Sequence, residues 1–275
     1  MNANLLKYFR QDKLPHIWCP GCGHGIIMGA LVRAIDKVGL EQDKTVIVSG
    51  IGCSSRAPGY MNFDTLHTTH GRAIAFATGI KMAKPELNVI VVTGDGDGAA
   101  IGGNHLIHAC RRNIGLTVIM FNNNIYGMTS GQYSPLTPVG KKATTAPYGN
   151  IDPEFDICNV VKGAGATFIA RGTAYHVKQL IDIIARGLTH DGFAFIETLT
   201  QCPINYGRRN KFADPVEMLM WQKEVTVSKE VYDKLSEEEK AGKIVTGILY
   251  HDDTKIEYTK AYEKVIELAR KGGQK

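Results

Sequence analysis

The sequence predicts an α/β fold, a mostly parallel sheet covered by helices on both faces. Three observations predict it. Short β-branched runs, such as Val89-Ile90-Val91-Val92, alternate with stretches of helical periodicity. These runs are continuously apolar rather than alternating, the pattern of strands buried on both faces. Several of them end in turns rich in Gly, Asp or Asn, and ligands of open α/β sheets bind at that carboxyl edge.

The elements follow in order. Residues 45–49 read as a strand entering Gly50-Ile51-Gly52-Cys53, and a helix fits 72–83, rich in Ala and stopped by Pro85. Residues 88–93 form a second strand running into Gly94-Asp95-Gly96-Asp97-Gly98, with a helix from about 101 to 112. Residues 116–121 make a third strand running into Asn122-Asn123-Asn124. A strand at 166–170, a helix near 174–188 and a strand at 193–199 complete the pattern. Beyond residue 200 the character changes: a helix at 215–224, a charged segment at 236–243 and a helix at 255–271. The division predicted is a domain at 1–200 and a C-terminal extension at 201–275, packed on the core or on a partner.

Bulk properties narrow the function classes. A chain of 275 residues with 44% hydrophobic and 21% charged residues can bury a substantial core and is not disordered. The net charge of +5 is too mild and dispersed to predict nucleic-acid binding. Residues 1–18 lack the apolar stretch and cleavage site of a signal peptide. No apolar run approaches the roughly 20 residues that span a bilayer. The expectation is a cytoplasmic protein without membrane contact, whose six cysteines are thiols, metal ligands or redox groups rather than disulfides.

Gly94-Asp95-Gly96 follows one buried strand and Asn122-Asn123 the next, with 25 residues between Gly96 and Asn122. That interval holds one helix and one strand, so the two turns lie side by side. Carboxylate and carboxamide oxygens are hard donors suited to Mg²⁺, which completes its shell with phosphate oxygens and water. The glycines permit close backbone approach to phosphates, and a following helix offers its positive end. A dinucleotide fingerprint fails, because the third glycine would fall at Ala99 or Ile101. An EF-hand fails because Leu106 or His108 stands where its closing Glu belongs.

The cysteines are Cys19, Cys22, Cys53, Cys110, Cys158 and Cys202. Cys19 and Cys22 form Cys-x-x-Cys, while Cys53 and Cys202 each follow a predicted strand. Four thiolates from three regions can hold a [4Fe–4S] cube or a tetrahedral Zn²⁺, and spacing alone does not separate these. A thioredoxin-type site at Cys19 and Cys22 is a weaker reading, because residues 7–13 do not read as the strand it should follow. Cys110 and Cys158 fall in or near helical sequence and read as buried apolar thiols.

The Gly-Asp-Gly…Asn-Asn pair resembles the thiamine-diphosphate motif. The segments WCPGCGHG (18–25), IGCSS (51–55), His70-Gly71-Arg72, Gly94 to Gly98, YGMTSGQ (126–132) and Cys202-Pro203 occur in an order similar to that of β subunits of 2-oxoacid:ferredoxin oxidoreductases. The resemblance runs from about residue 16 to at least 220. It implies a thiamine-diphosphate-binding fold with Mg²⁺ held by Asp95, Asn123 and the Ile125 carbonyl. Ile51, Gly52, Cys53, Ser54, His70, Gly94, Gly96, Asp97, Gly127 and Met128 would then line the cofactor. It further implies that Cys19, Cys22, Cys53 and Cys202 ligate a [4Fe–4S] cluster.

The implied reaction converts a 2-oxoacid, CoA and oxidised ferredoxin to acyl-CoA, CO₂ and reduced ferredoxin. The 126–135 stretch is most similar to the 2-oxoglutarate branch, with pyruvate and branched-chain 2-oxoacids as competitors. No Glu matches the one that thiamine enzymes place beside the aminopyrimidine. A larger α subunit is therefore expected to supply it in an αβ or α₂β₂ assembly, with ferredoxin or a ferredoxin-like small subunit taking the electrons. His24 reads as the start of a helix, and His67, His105 and His108 receive no role. The rival readings are a non-oxidative thiamine enzyme subunit with structural zinc, a thiol oxidoreductase using Cys19 and Cys22, and a non-catalytic interaction subunit.

Overall fold

The computed structural model of the chain describes residues 3–272. In chain order the main elements are α1 (His24–Val38), β1 (Thr45–Ser49), β2 (Asp64–His67), α2 (Ala73–Ala83), β3 (Asn88–Gly94), α3 (Gly103–Arg112) and β4 (Thr117–Asn122). They continue with α4 (Ile157–Gly163), β5 (Phe168–Thr173), α5 (Val177–Leu188), β6 (Ala194–Leu199) and α6 (Pro215–Val225). The tail holds β7 (Thr226–Ser228), the single turns α7 (Lys229–Tyr232) and α8 (Glu237–Lys240), β8 (Ile244–His251) and α9 (Tyr258–Gly272).

The strands form one sheet in the order β2-β1-β3-β4-β6-β5-β8-β7. All neighbours run parallel except β5 and β8, which are antiparallel. The apolar runs have the cause inferred from sequence. Along β3, Ile90 and Val92 pack into the core under α1 and α5, while Val89 and Val91 pack into the core under α2, α3 and α4. Each strand residue thus loses its water on one face or the other, at roughly 25 cal/mol per Å² of apolar area buried.

From β1 the chain steps outward to β2 and then returns to the far side of β1 as β3, so the strand order reverses between them. Such a switch point opens a crevice at the carboxyl ends of the strands.

Several boundaries differ from the sequence reading for physical reasons. The helix expected from about residue 101 begins at Gly103, because residues Gly96–Ile101 form a wide π-helical turn. The positive end of α3 is therefore displaced from Gly96 by that turn. The strand expected at 166–170 occupies Phe168–Thr173, since the carbonyl of Phe193 draws in the N–H groups of both Thr167 and Phe168 at its start. The edge strand β2 was not legible, because Asp-Thr-Leu-His is polar and half-exposed. Strand β8 brings residues beyond 200 into the sheet beside β5.

Asn113 fastens this tail to the core. It ends α3 in the left-handed conformation, with φ 51°. Its Oδ1 accepts from Thr167 Oγ1 at 2.7 Å and from the Phe193 N–H at 2.8 Å. Its Nδ2 donates to the carbonyls of Lys255 and Ile256 at 3.4 and 3.2 Å. Asn113→Ala is expected to cost about 2–4 kcal/mol, from stranded buried partners and the left-handed backbone. Asn113→Gly should recover about 1 kcal/mol of that, the backbone share. Urea denaturation of the three proteins checks both numbers.

Candidate functional site

The crevice at the sheet's carboxyl edge opens as a cleft. The turns after β1, β3 and β4 bring Ile51, Gly52, Cys53, Ser54, Gly94, Asp95, Gly96, Asp97, Asn123, Ile125, Gly127 and Met128 to its walls. His70 joins them from the loop after β2. His24 and Tyr126, to which the sequence reading gave no role, line it as well.

The two motif turns touch. Asp95 is 3% exposed, and its carboxylate accepts the Ser134 hydroxyl at 2.5 Å together with the Gly96 and Ile125 N–H groups. The same Ile125 N–H lies 3.3 Å from Asn123 Oδ1. Asp95, Asn123 and Ile125 therefore converge around one donor. Burial raises the Asp95 pKa to about 7, against the lowering effect of its hydrogen bonds. A buried carboxylate held this high is poised for a cation that would restore its charge.

Asp97 plays a different part. Its Oδ1 accepts from the Ile51 N–H at 3.1 Å, the Gly71 N–H at 2.7 Å and His70 Nδ1 at 2.6 Å. Its Oδ2 accepts the Thr93 hydroxyl at 2.7 Å. This carboxylate lines the cleft yet is consumed by protein donors, and it fixes the loops after β1 and β2 against β3. Gly50 lacks a side chain for the same reason: a Cβ there would lie 2.2 Å from Asp97 Oδ2.

A relay beneath the Asn turn was not legible. Arg171 Nε donates to Glu197 Oε2 at 2.6 Å, and Asn122 Nδ2 donates to Glu197 Oε1 at 2.7 Å. Asn122 Oδ1 then receives the Asn124 N–H at 3.0 Å, where Asn124 turns left-handed at φ 59°. The buried ion pair thus braces the turn that presents Asn123.

Cys19, Cys22, Cys53 and Cys202 come together, while Cys110 and Cys158 are buried elsewhere in the second core. Each of the three less exposed sulfurs is raised first by burial and then by the charges of others in the set. Cys22 reaches about 12 and Cys53 about 11. A site this unfavourable to free thiolates suits sulfurs that surrender their charge to a metal. Three hydrogen bonds tie the three chain segments: Trp18 Nε1 to the Cys53 carbonyl at 2.7 Å, Gln201 Nε2 to the Gly21 carbonyl at 3.1 Å, and the Gly23 N–H to the Gln201 carbonyl at 3.3 Å. Among the described residues, no three His, Cys, Asp or Glu side chains are gathered tightly enough for a single metal ion.

Gly127 joins the two halves of the site. A Cβ at that position would sit 3.4 Å from Cys53 Sγ, 3.7 Å from Cys202 Sγ and 3.6 Å from Asn123 Nδ2. The cysteine set and the Asp95–Asn123 turn are therefore separated by one glycine.

Residues 50–198 match the model of the thiamine pyrophosphate enzyme C-terminal TPP-binding domain, which defines the class. The 2-oxoglutarate synthase subunit KorB of Methanocaldococcus jannaschii is 55% identical over 262 residues, 95% of this chain and 97% of that protein. The KorB subunit of Archaeoglobus fulgidus is 53% identical over 219 residues, 80% of this chain and 81% of that one. The solved 2-oxoglutarate:ferredoxin oxidoreductase from Magnetococcus marinus, with 2-oxoglutarate, coenzyme A and succinyl-CoA bound, superposes with a TM-score of 0.86 at 33% identity. That match covers 96% of this chain and 90% of the other. The chain belongs to the family of 2-oxoglutarate:ferredoxin oxidoreductase β subunits.

Replacing Asp97 by Asn puts an N–H₂ group among four donors. The expected loss is about 3 kcal/mol in denaturant titration, from unsatisfied buried donors. Hydrogen exchange should accelerate at 50–54 and 68–72 and stay unchanged across α5.

Proposed function

We propose that this chain is the thiamine-diphosphate-binding β subunit of a cytoplasmic enzyme that converts 2-oxoglutarate and coenzyme A to succinyl-CoA and CO₂. The electrons leave through a [4Fe–4S] cluster to ferredoxin or a ferredoxin-like small subunit. One observation carries this reading: Cys53, Cys202 and Asn123 all lie within 4 Å of the place a Cβ on Gly127 would take. Residues 1–200 form the cofactor-binding domain on this reading, and 201–275 an extension that supplies Cys202 and the outer strands.

Bound thiamine diphosphate supplies the carbanion-stabilising chemistry that decarboxylation requires. The chain's own residues hold and orient it. The Asp95 carboxylate, the Asn123 carboxamide and the Ile125 carbonyl take Mg²⁺, whose hard character fits these oxygens. Gly94 and Gly96 let the backbone approach the diphosphate; at Gly96 the open face is covered by the Tyr126 ring, which a Cβ would strike. Asp97 holds His70 at the cleft wall by its Nδ1, which leaves Nε2 for the cofactor or the substrate. Ile51, Gly52, Ser54 and Met128 form the remaining wall.

Cys19, Cys22, Cys53 and Cys202 hold the cluster. An electron-carrying cube fits a chain of this ferredoxin-linked family better than a redox-inert zinc.

The described lining of the cleft contains Asp95 and Asp97 but no glutamate. The group that activates the cofactor's aminopyrimidine therefore comes from an α subunit, in an αβ or α₂β₂ assembly. The Magnetococcus marinus enzyme, with 2-oxoglutarate and coenzyme A bound, supports the substrate choice.

Asp95→Ala is expected to abolish Mg²⁺-dependent thiamine diphosphate binding by calorimetry while iron content stays unchanged. Wild-type affinity in that variant rules out the metal assignment. Cys202→Ser should lose or convert a four-iron cluster in anaerobic iron and sulfide analysis. A colourless wild-type protein carrying one zinc would replace the oxidative reading with the non-oxidative one.

A further inference from the structure

We propose that His24 is a tuning residue of the iron–sulfur centre: its Nδ1–H donates a hydrogen bond to the Cys22 sulfur and raises the cluster's reduction potential. The inference rests on the reading of Cys22 as a cluster ligand.

The geometry is specific. His24 is the first residue of α1, two positions after Cys22, and its Nδ1 lies 2.8 Å from Cys22 Sγ. A metal-bound thiolate has no proton to give, so it accepts and the imidazole donates. That assignment places the ring proton on Nδ1 and leaves Nε2 bare. The His24 backbone N–H also reaches Cys22, so one residue supplies two donors to one sulfur.

The ring is held too firmly to leave this position. His24 is 1% exposed. It stacks between Trp18, at 5.7 Å and 24°, and Phe121, at 5.2 Å and 21°. Phe121 is the last residue but one of β4, just before the Asn turn, and Trp18 is itself bonded to the Cys53 carbonyl. The stack therefore runs from one cluster ligand's loop to the turn that bears Asn123, and His24 also lines the cofactor cleft.

A donor aimed at a ligating sulfur stabilises the reduced cluster more than the oxidised one, because reduction adds negative charge to the core and its sulfurs. Reduction becomes easier. The donor thus helps the cluster to accept electrons from chemistry in the adjoining cleft.

The test compares the assembled enzyme carrying native His24, His24→Phe and His24→Asn by anaerobic redox titration followed by EPR. Phe keeps the aromatic stack and removes the donor; Asn keeps a donor near the place of Nδ1 and removes the stack. The expected result is a cluster in all three, with reduction disfavoured about tenfold in His24→Phe, or 59 mV for one electron, and restored in His24→Asn. An unchanged potential in His24→Phe overturns the proposal, and so does an equal shift in both variants, which would assign the effect to the stack. A native enzyme without iron or sulfide is a different failure, that of the cluster reading. Should His24→Phe not fold, native enzyme labelled with ¹⁵N-histidine decides: hyperfine coupling between the reduced cluster and an imidazole nitrogen is expected, and its absence overturns the proposal.

Discussion

Both carboxylate oxygens of Asp97 are taken by protein donors: Ile51, His70 and Gly71 share one, and Thr93 holds the other. These groups come from the ends of β1, β2 and β3, so a single buried charge fixes the relative height of three loops. A charge 3% exposed survives there only because its donors replace the water it has lost. Asp95 lies in the same cleft with Ser134, Gly96 and Ile125 as its donors, and burial raises its pKa. Two aspartates two residues apart thus take different parts: Asp97 clasps three loops, and Asp95 is the one that the proposed function gives to Mg²⁺.

The same logic applies beneath the adjoining turn. Glu197 lies in the middle of β6, where a carboxylate would be costly without partners. Arg171 neutralises it from β5, and Asn122 uses it as an anchor from β4. The strand pairing that brings Arg171 opposite Glu197 is the register of the sheet itself. Sheet register, a buried ion pair and the left-handed Asn124 are therefore one continuous support for the Asn turn.

Much of this was legible in the sequence, and what was not has identifiable causes. Residues 45–49 and 88–93 read correctly as strands because both faces of each are covered, so the apolar run is unbroken. Strand β8 was missed because Ile244–His251 sits near the sheet's edge with half-buried residues, and its partner β5 lies about seventy residues away. Asp95, Asn123 and the four cysteines stood out in the sequence by residue type, spacing and family resemblance, and the structure brings them to one region. Asp97, Glu197 and His24 declare their parts only through partners distant in sequence or through stacking rings. His24 had a local signal, a histidine two residues after a cysteine at a helix start, but a helix start explains such a residue equally well.

The placement of Gly127 bears on why oxidative chemistry suits this fold. A Cβ there would make ordinary contacts with Cys53, Cys202 and Asn123 alike, so the two groups of residues meet around this one position. Asn205 holds it in place, donating to the Gly127 carbonyl at 2.7 Å from the segment that follows Cys202. Electron transfer weakens steeply with distance, whereas protonation of a carbanion needs only one water. A carbon centre formed in a cleft open to water is quenched unless an acceptor stands nearer than the solvent. Gly127 stands between the Asn123 turn and the Cys53 and Cys202 sulfurs, so an acceptor held by those sulfurs would lie close to a cofactor held by that turn. On the proposed reading, the nearness of Cys53 and Cys202 to the turn that bears Asn123 is what suits this fold to passing electrons on, before any particular substrate is considered.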